Sequence, residues 1–508
     1  MVQATQWSTP PSLLSTTGQD ASDPCIAIDP SGNALALWVE SGTVMASSGT
    51  QGGGWDTAEA ISSTTASFPQ VAMDGSGNAI AVWVENGVVR AKNKPVGQSW
   101  SGTETPLSLS GATAPQIAMN ANGDAIAVWL SGREVTASTG SFSGGWNSSS
   151  TVSSSGGTAS NPQVSIDSSG NGIIVWEQPV ISTPSIYAST LSSGSWSTPT
   201  MISASGVNSI SPHVAITPSS TEQATAIWFT YDLSGSTYSN VGISTATLLS
   251  TGSWGASRSL ASGGYMDPQQ LACAIEADSQ GNAIAMWNTS LDGSMLSLQF
   301  AYKPAEGSWT SAPLLSPSNP CQWGFGLAME PYGNALTSWM ALDSTSNLVV
   351  PAEIASPSAQ ISQVRWQSPT ILSQGASNGY PEVAINFSNN QIYTAACWLS
   401  SDGTTTSIQA SLGTSSWPNP PTGLTVTQAT ANYDLVEDVY NTLSWTASST
   451  SGVVSYQIYR NGELITTVGA NINQWIDHNQ GVNESVTYGV QTVASFQVLS
   501  EIATVTWP

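Results

Sequence analysis

The sequence predicts an all-β chain assembled from eight copies of one sheet-forming repeat, and three observations carry that reading. A phrase written PQVAMDGSGNAIAVW over residues 69–83 returns as PQIAMNANGDAIAVW over 115–129 and as PQVSIDSSGNGIIVW over 162–176. Further copies end at Trp38, Trp228, Trp287, Trp339 and Trp398, so successive copies are 45 to 59 residues apart. Within each copy, short apolar segments alternate with Asp, Gly, Ser and Asn clusters, the punctuation of strands and tight turns. A period of this length marks a repeat architecture whose unit buries its faces against its neighbours.

Each element of the unit is legible in turn. Residues 70–73 form a first strand and residues 79–83 a second. Between them Asp74-Gly75-Ser76-Gly77-Asn78 supplies residues that tolerate positive φ, as a hairpin loop needs. The second strand alternates small and large side chains (Ala79, Ile80, Ala81, Val82), which leaves one face thin enough for crowded packing beside Trp83. A third strand follows at residues 87–92 or 185–190. A Gly-Ser-Trp or Gly-Gly-Trp turn and a fourth strand such as residues 200–203 complete the unit. Four antiparallel strands in about 50 residues make the blade of a β-propeller. Eight copies therefore predict an eight-bladed β-propeller over residues 1–417.

Closure of the ring is also predicted. The last copy lacks a fourth strand, while Trp7-Ser8-Thr9-Pro10 near the N-terminus repeats the fourth-strand phrase Trp196-Ser197-Thr198-Pro199. The N-terminal strand should complete the eighth blade and remove an exposed edge. On that reading Cys25 and Cys397 are neighbours through closure, and Cys273 and Cys321 lie near the starts of adjacent blades. Two disulfides, Cys25–Cys397 and Cys273–Cys321, are the expectation, with buried free thiols as the alternative.

After Pro420 the repeat stops. Pro421-Thr422-Gly423-Leu424-Thr425-Val426, Leu443-Ser444-Trp445, Tyr456-Gln457-Ile458-Tyr459-Arg460-Asn461-Gly462 and Tyr488-Gly489-Val490 follow in order. Residues 418–508 thus resemble a fibronectin type III domain, which implies a β-sandwich used as a spacer or interaction module. The D-x-x-G-N-A-x-A-x-W repeat of residues 1–417 resembles a family of bacterial surface and secreted β-propeller proteins, a resemblance that implies a fold and no particular activity.

Composition narrows the function. Only 8% of residues are charged and the formal net charge is −24, with 8 Lys and Arg against 32 Asp and Glu. So few cations cannot neutralise a phosphate backbone, which excludes nucleic acid, and an anionic membrane is disfavoured likewise. No run of 18 apolar residues is present to span a bilayer. An extracellular or cell-surface location is expected, after removal of a signal peptide that residues 1–5 do not supply.

Chemistry is sparse. A sialidase on this scaffold needs three clustered arginines, whereas Arg90, Arg133, Arg258 and Arg365 fall at no common repeat position. His213 occupies the repeat column of Gln70, Gln116 and Gln163 and reads as a polar first-strand residue. The hairpin carboxylates Asp29, Asp74, Asp167 and Asp278 could ligate Ca²⁺, but Asx-turn hydrogen bonds explain them more simply. No catalytic residue, metal or cofactor is predicted. The turn tryptophans Trp55, Trp100, Trp146, Trp196, Trp254, Trp309 and Trp366 are the ligand-binding candidates, since sugar C–H groups stack on indole faces. Packing is their alternative role. The expectation is a non-catalytic recognition or adhesion protein that binds a glycan or an extracellular protein. A self-associating structural surface component and a propeller glycoside hydrolase are the alternatives.

Overall fold

The computed structural model describes residues 5–507 apart from 64, 155–156, 235–236, 265–271, 291–295, 311–312, 316–320, 343–347, 358–363, 367–368, 374–376, 390, 417, 434–435, 451–452, 483 and 495–498. Every regular element among the described residues is a strand, and every pairing is antiparallel. Eight sheets occupy the repeat region in chain order. The second is representative: Ala66–Met73, Ala79–Glu85, Val88–Lys94 and Thr105–Pro106 pair consecutively. In the eighth sheet Ser377–Ser388, Gln391–Ser401 and Thr406–Ser416 are joined by Gln6–Trp7 and Ser12–Leu13 from the N-terminus. There Trp7 pairs with Gly413 and Ser12 with Ala410. Two further sheets, Thr422–Tyr433/Val436–Thr446/Gln474–Asp477 and Glu463–Gly469/Val453–Arg460/Val486–Ala494/Leu499–Trp507, enclose Leu443, Trp445, Tyr456, Ile458, Tyr488 and Val490.

In six of the eight copies the repeat phrase begins with proline, and there the first strand starts before it. The ladder slips there, for example between Ser67 and Gln70 in the second sheet. Proline has no N–H to donate, so the strand continues only if its pairing skips the position, which is a β-bulge. The residue ahead of each proline takes a positive φ of 44° to 54°: Asp23, Phe68, Ala114, Asn161, Ser211 and Tyr380. The bulge shifts which face the next side chain occupies.

Alternation in the second strand assigns the two faces. Ala79, Ala81 and Trp83 pack against Leu35 and Leu37 of the first sheet, while Ile80 and Val82 pack against Ala125, Ala127 and Trp129 of the third. Each sheet thus presents a thin face with one indole to the sheet before it and a bulky face to the sheet after. The same layer recurs down the repeat region, and Ala36 and Trp38 of the first sheet pack with Cys397, Ile408 and Ala410 of the eighth. All eight second-strand tryptophans are fully buried.

Face assignment corrects the expected Cys25–Cys397 disulfide. Cys25 packs in the layer between the first and second sheets, and Cys397 in the layer between the eighth and the first. The two thiols lie on opposite sides of the first sheet, and both are free. Cys273 is also a buried thiol, directed to the fifth sheet, where its Sγ donates to the Ser211 carbonyl at 3.2 Å. The side chain of Cys321, its expected partner, lies outside the described residues.

The hairpin loops are held by their own polar groups. In the second sheet Asp74 Oδ1 accepts from Ser76 N at 2.9 Å and Asn78 N at 2.8 Å, and Oδ2 accepts from Asn78 Nδ2 at 2.9 Å. Asp29, Asp167 and Asp278 repeat the arrangement. The third hairpin exchanges the partners: Asn120 Oδ1 accepts the two backbone N–H groups, and its Nδ2 donates to Asp124 Oδ2 at 3.1 Å. One carboxylate and one amide are kept, in reversed order. Asn120→Asp alone sets two carboxylates against each other and should destabilise the chain by about 1–3 kcal/mol. Adding Asp124→Asn should recover most of that loss in urea unfolding; simple additivity of the two changes would contradict this pairing.

Candidate functional site

The predicted tryptophans sit at the turn between third and fourth strands. Trp55, Trp100, Trp146, Trp196, Trp254, Trp309 and Trp366 are all half-buried, and each leans on a different inter-sheet layer. Their seats are built into the strand beneath. A side chain at Gly49 would strike the ring of Trp55 at 2.7 Å, and one at Gly140 would strike Trp146 at 2.9 Å. Trp366 meets Phe300 edge-on at 5.7 Å. These contacts make each ring a plug over the outer end of a core layer, so what remains for a ligand is one partly open face.

At one place two such rings share a cleft. Trp7 of the N-terminal strand and Trp55 of the first sheet line a cleft of ≈ 370 Å³ together with Gln6, Ser12, Gln51 and Thr414. Its floor is shaped by the turn Gln51-Gly52-Gly53-Gly54, where Gly52 and Gly54 take φ of 75° and 80°, a backbone path open to glycine. Gln51 ties the two walls together, its Nε2 donating to the Gly413 carbonyl at 3.0 Å and the Thr394 carbonyl at 3.4 Å. Two indole faces with amides and hydroxyls around them suit a small polar molecule with an apolar face. Of the seven predicted tryptophans, only Trp55 lines this cleft. Trp7, Gln51 and Thr414 escaped the sequence reading because they meet only through strand pairing across some 400 residues; the Gly-rich turn before Trp55 was the one local signal.

Among the titratable groups on the first strands, His213, Glu276 and Glu382 lie away from this rim. His213 holds the register of the glutamine column, pairing with Ile227 as Gln70 pairs with Val82. Burial pulls its pKa down to about 4. Glu276 of the sixth sheet is pushed up to about 8, and Glu382 of the eighth, which water reaches although protein surrounds it, to about 7. Desolvation is the cause in all three, and neither carboxyl moves the titration of the other. A glycosidase places two carboxyls 5 to 10 Å apart, close enough to feel each other. Among the described residues no group of three or more His, Cys, Asp and Glu is arranged to hold a metal ion.

Raised carboxyl pKa values tie stability to pH. The folded chain holds protons on Glu276 and Glu382 more tightly than an unfolded chain, whose glutamates titrate near 4.5. The stabilisation is complete below pH 4.5 and is lost as pH rises through about 7 and 8. Glu276→Gln and Glu382→Gln should each flatten the fall in urea-unfolding stability across that window. An unchanged slope in both would contradict the desolvation of these groups.

No protein-family model matches the chain, and no curated protein matches it. Among solved structures the chain is similar to the BP39L lectin from Burkholderia pseudomallei, at 14% identity over 70% of this chain and 100% of that one, with a TM-score of 0.49. It is also similar to the polysaccharide lyase Uly1, at 10% identity over 77% and 89% with a TM-score of 0.38. The Hadza microbial sialidase Hz136 shares 13% identity over 66% and 73% with a TM-score of 0.35. Scores below 0.5 are too loose to transfer a ligand or a reaction to this chain.

Proposed function

We propose that this chain is a non-catalytic recognition protein of the cell surface or extracellular space that binds a glycan in the Trp7–Trp55 cleft. On this reading the eight sheets of residues 1–417 are the blades of one β-propeller ring, closed where the N-terminal strand joins the eighth sheet. Residues 418–508 are a fibronectin type III-like module that serves as a spacer or interaction module. The packing of Trp38 with Cys397 and Ala410 supports closure, since it brings the first and last sheets into one layer. The observation that carries the binding reading is the cleft itself, with two indoles over a Gly-rich turn and amide and hydroxyl groups within reach. The raised carboxyls of Glu276, Glu353 and Glu382 are what favours a hydrolase; desolvation alone raises each of them, without a neighbouring carboxyl, which favours binding without turnover.

A glycan array probed with the whole chain tests this, alongside Gln51→Ala and Ser12→Tyr variants. Gln51→Ala removes a wall donor, and Ser12→Tyr fills the cleft without touching a core layer. Each should weaken the strongest glycan signal by about tenfold or more, worth roughly 1.4 kcal/mol, with the unfolding midpoint of Ser12→Tyr unchanged. No saturable glycan signal, a signal indifferent to both variants, or release of reducing sugar from the bound glycan would overturn the proposal.

A further inference from the structure

We infer that the occupant of the Trp7–Trp55 cleft is an uncharged sugar, bound without any ionic contact; the inference rests on the glycan-binding reading above. None of the eleven residues lining the cleft carries a charge. A carboxylate- or sulfate-bearing sugar is held by the fork of an arginine or the ammonium of a lysine, and desolvating its charge without one is costly. The chain has eight such cations, Arg90, Lys92, Lys94, Arg133, Arg258, Lys303, Arg365 and Arg460, and none lines the cleft. Three of them are already paired, Arg90 with Glu85, Lys303 with Glu222 and Arg460 with Asp477. The formal charge of −24 adds long-range repulsion of anions.

At equivalent positions elsewhere in the repeat neutral side chains are the rule: Thr105 pairs with Ala91, Ser150 with Ala137, Thr200 with Ala188 and Thr370 with Ala352. Ser8 donates its backbone N–H to the Leu412 carbonyl, and Asp56 does the same to the Ser48 carbonyl in the first sheet. Ser12 pairs with Ala410, and Glu59 pairs with Ala46. The two seam serines therefore stand where the first sheet carries two carboxylates. The seam thus keeps the uncharged side chains that most sheets carry there, and the two carboxylates of the first sheet are the exception. Sugar hydroxyls can both donate to and accept from serine, threonine and glutamine side chains, while the ring's C–H face rests on an indole. The same lining offers no group that could act as an acid or base at neutral pH, in keeping with capture rather than cleavage.

The test titrates the whole chain with matched oligosaccharide pairs that differ only by a terminal sialic acid or uronic acid, at low and high salt. Neutral members should bind about tenfold or more tightly than their acidic counterparts, and their Kd should move less than about twofold between 50 and 500 mM salt. Ser12→Lys should raise the affinity for acidic members relative to neutral ones by about tenfold. Equal or tighter binding of acidic sugars by the unaltered chain, or no gain in Ser12→Lys, would overturn the uncharged-sugar inference and leave glycan recognition standing. Absence of binding to any sugar class would overturn both.

Discussion

Between neighbouring sheets of the repeat region a buried indole from one second strand fills the space beside the alanines of its own face. Trp83 does this against Leu35 and Leu37, and Trp38 against Ile408 and Ala410. The rest of the architecture depends on that layer. Alanines of one sheet meet leucines of the next in this layer, and the indole supplies its bulk. Burying a side chain of this size contributes several kcal/mol, and removing one from a core costs roughly 3–5 kcal/mol. Repetition of this layer lets a chain with 8% charged residues cohere without ion-pair networks.

The turn tryptophans extend the same constraint outward. Gly49, Gly140 and Gly413 each leave room for an indole lying on the third strand, so Trp55, Trp146 and Trp7 cap their layers. A capped layer has one ring face left for other uses. Where Trp7 and Trp55 flank a Gly-rich turn, that remaining face opens on a cleft rather than on bulk solvent. On the proposed reading, recognition at this rim is a modification of packing, so the binding candidates could not be separated from structural rings by residue type.

The repeat made most of the fold readable from sequence. The hairpin loops, the alternation of the second strand and the fourth-strand phrase at Trp7 all reported local geometry directly. Bulges did not. Proline read as the edge of a strand, whereas Ser67-Phe68-Pro69-Gln70 is a strand that skips a pairing. That skip decides the face on which Cys25 falls, and the expected disulfide failed for this reason. The exchange of Asp and Asn in the third hairpin was visible in the sequence as a missing carboxylate, yet its meaning needed the Asn120–Asp124 contact. The cleft was the least legible feature, because Trp7, Gln51 and Thr414 belong to three segments that only the tertiary fold brings together.

Closure of the repeat region by the N-terminal strand is the claim on which both the ring and the cleft stand. Amide hydrogen exchange over Thr406–Ser416 tests it most directly, because Ile408 and Leu412 donate their N–H groups to Ser15 Oγ at 2.9 Å and Ser8 Oγ at 3.1 Å. In the intact chain these amides should exchange as slowly as those of Gln391–Ser401, and deletion of residues 1–15 should release them. Rapid exchange at Ile408 and Leu412 in the intact chain, at the rate of an open sheet edge, would contradict the account.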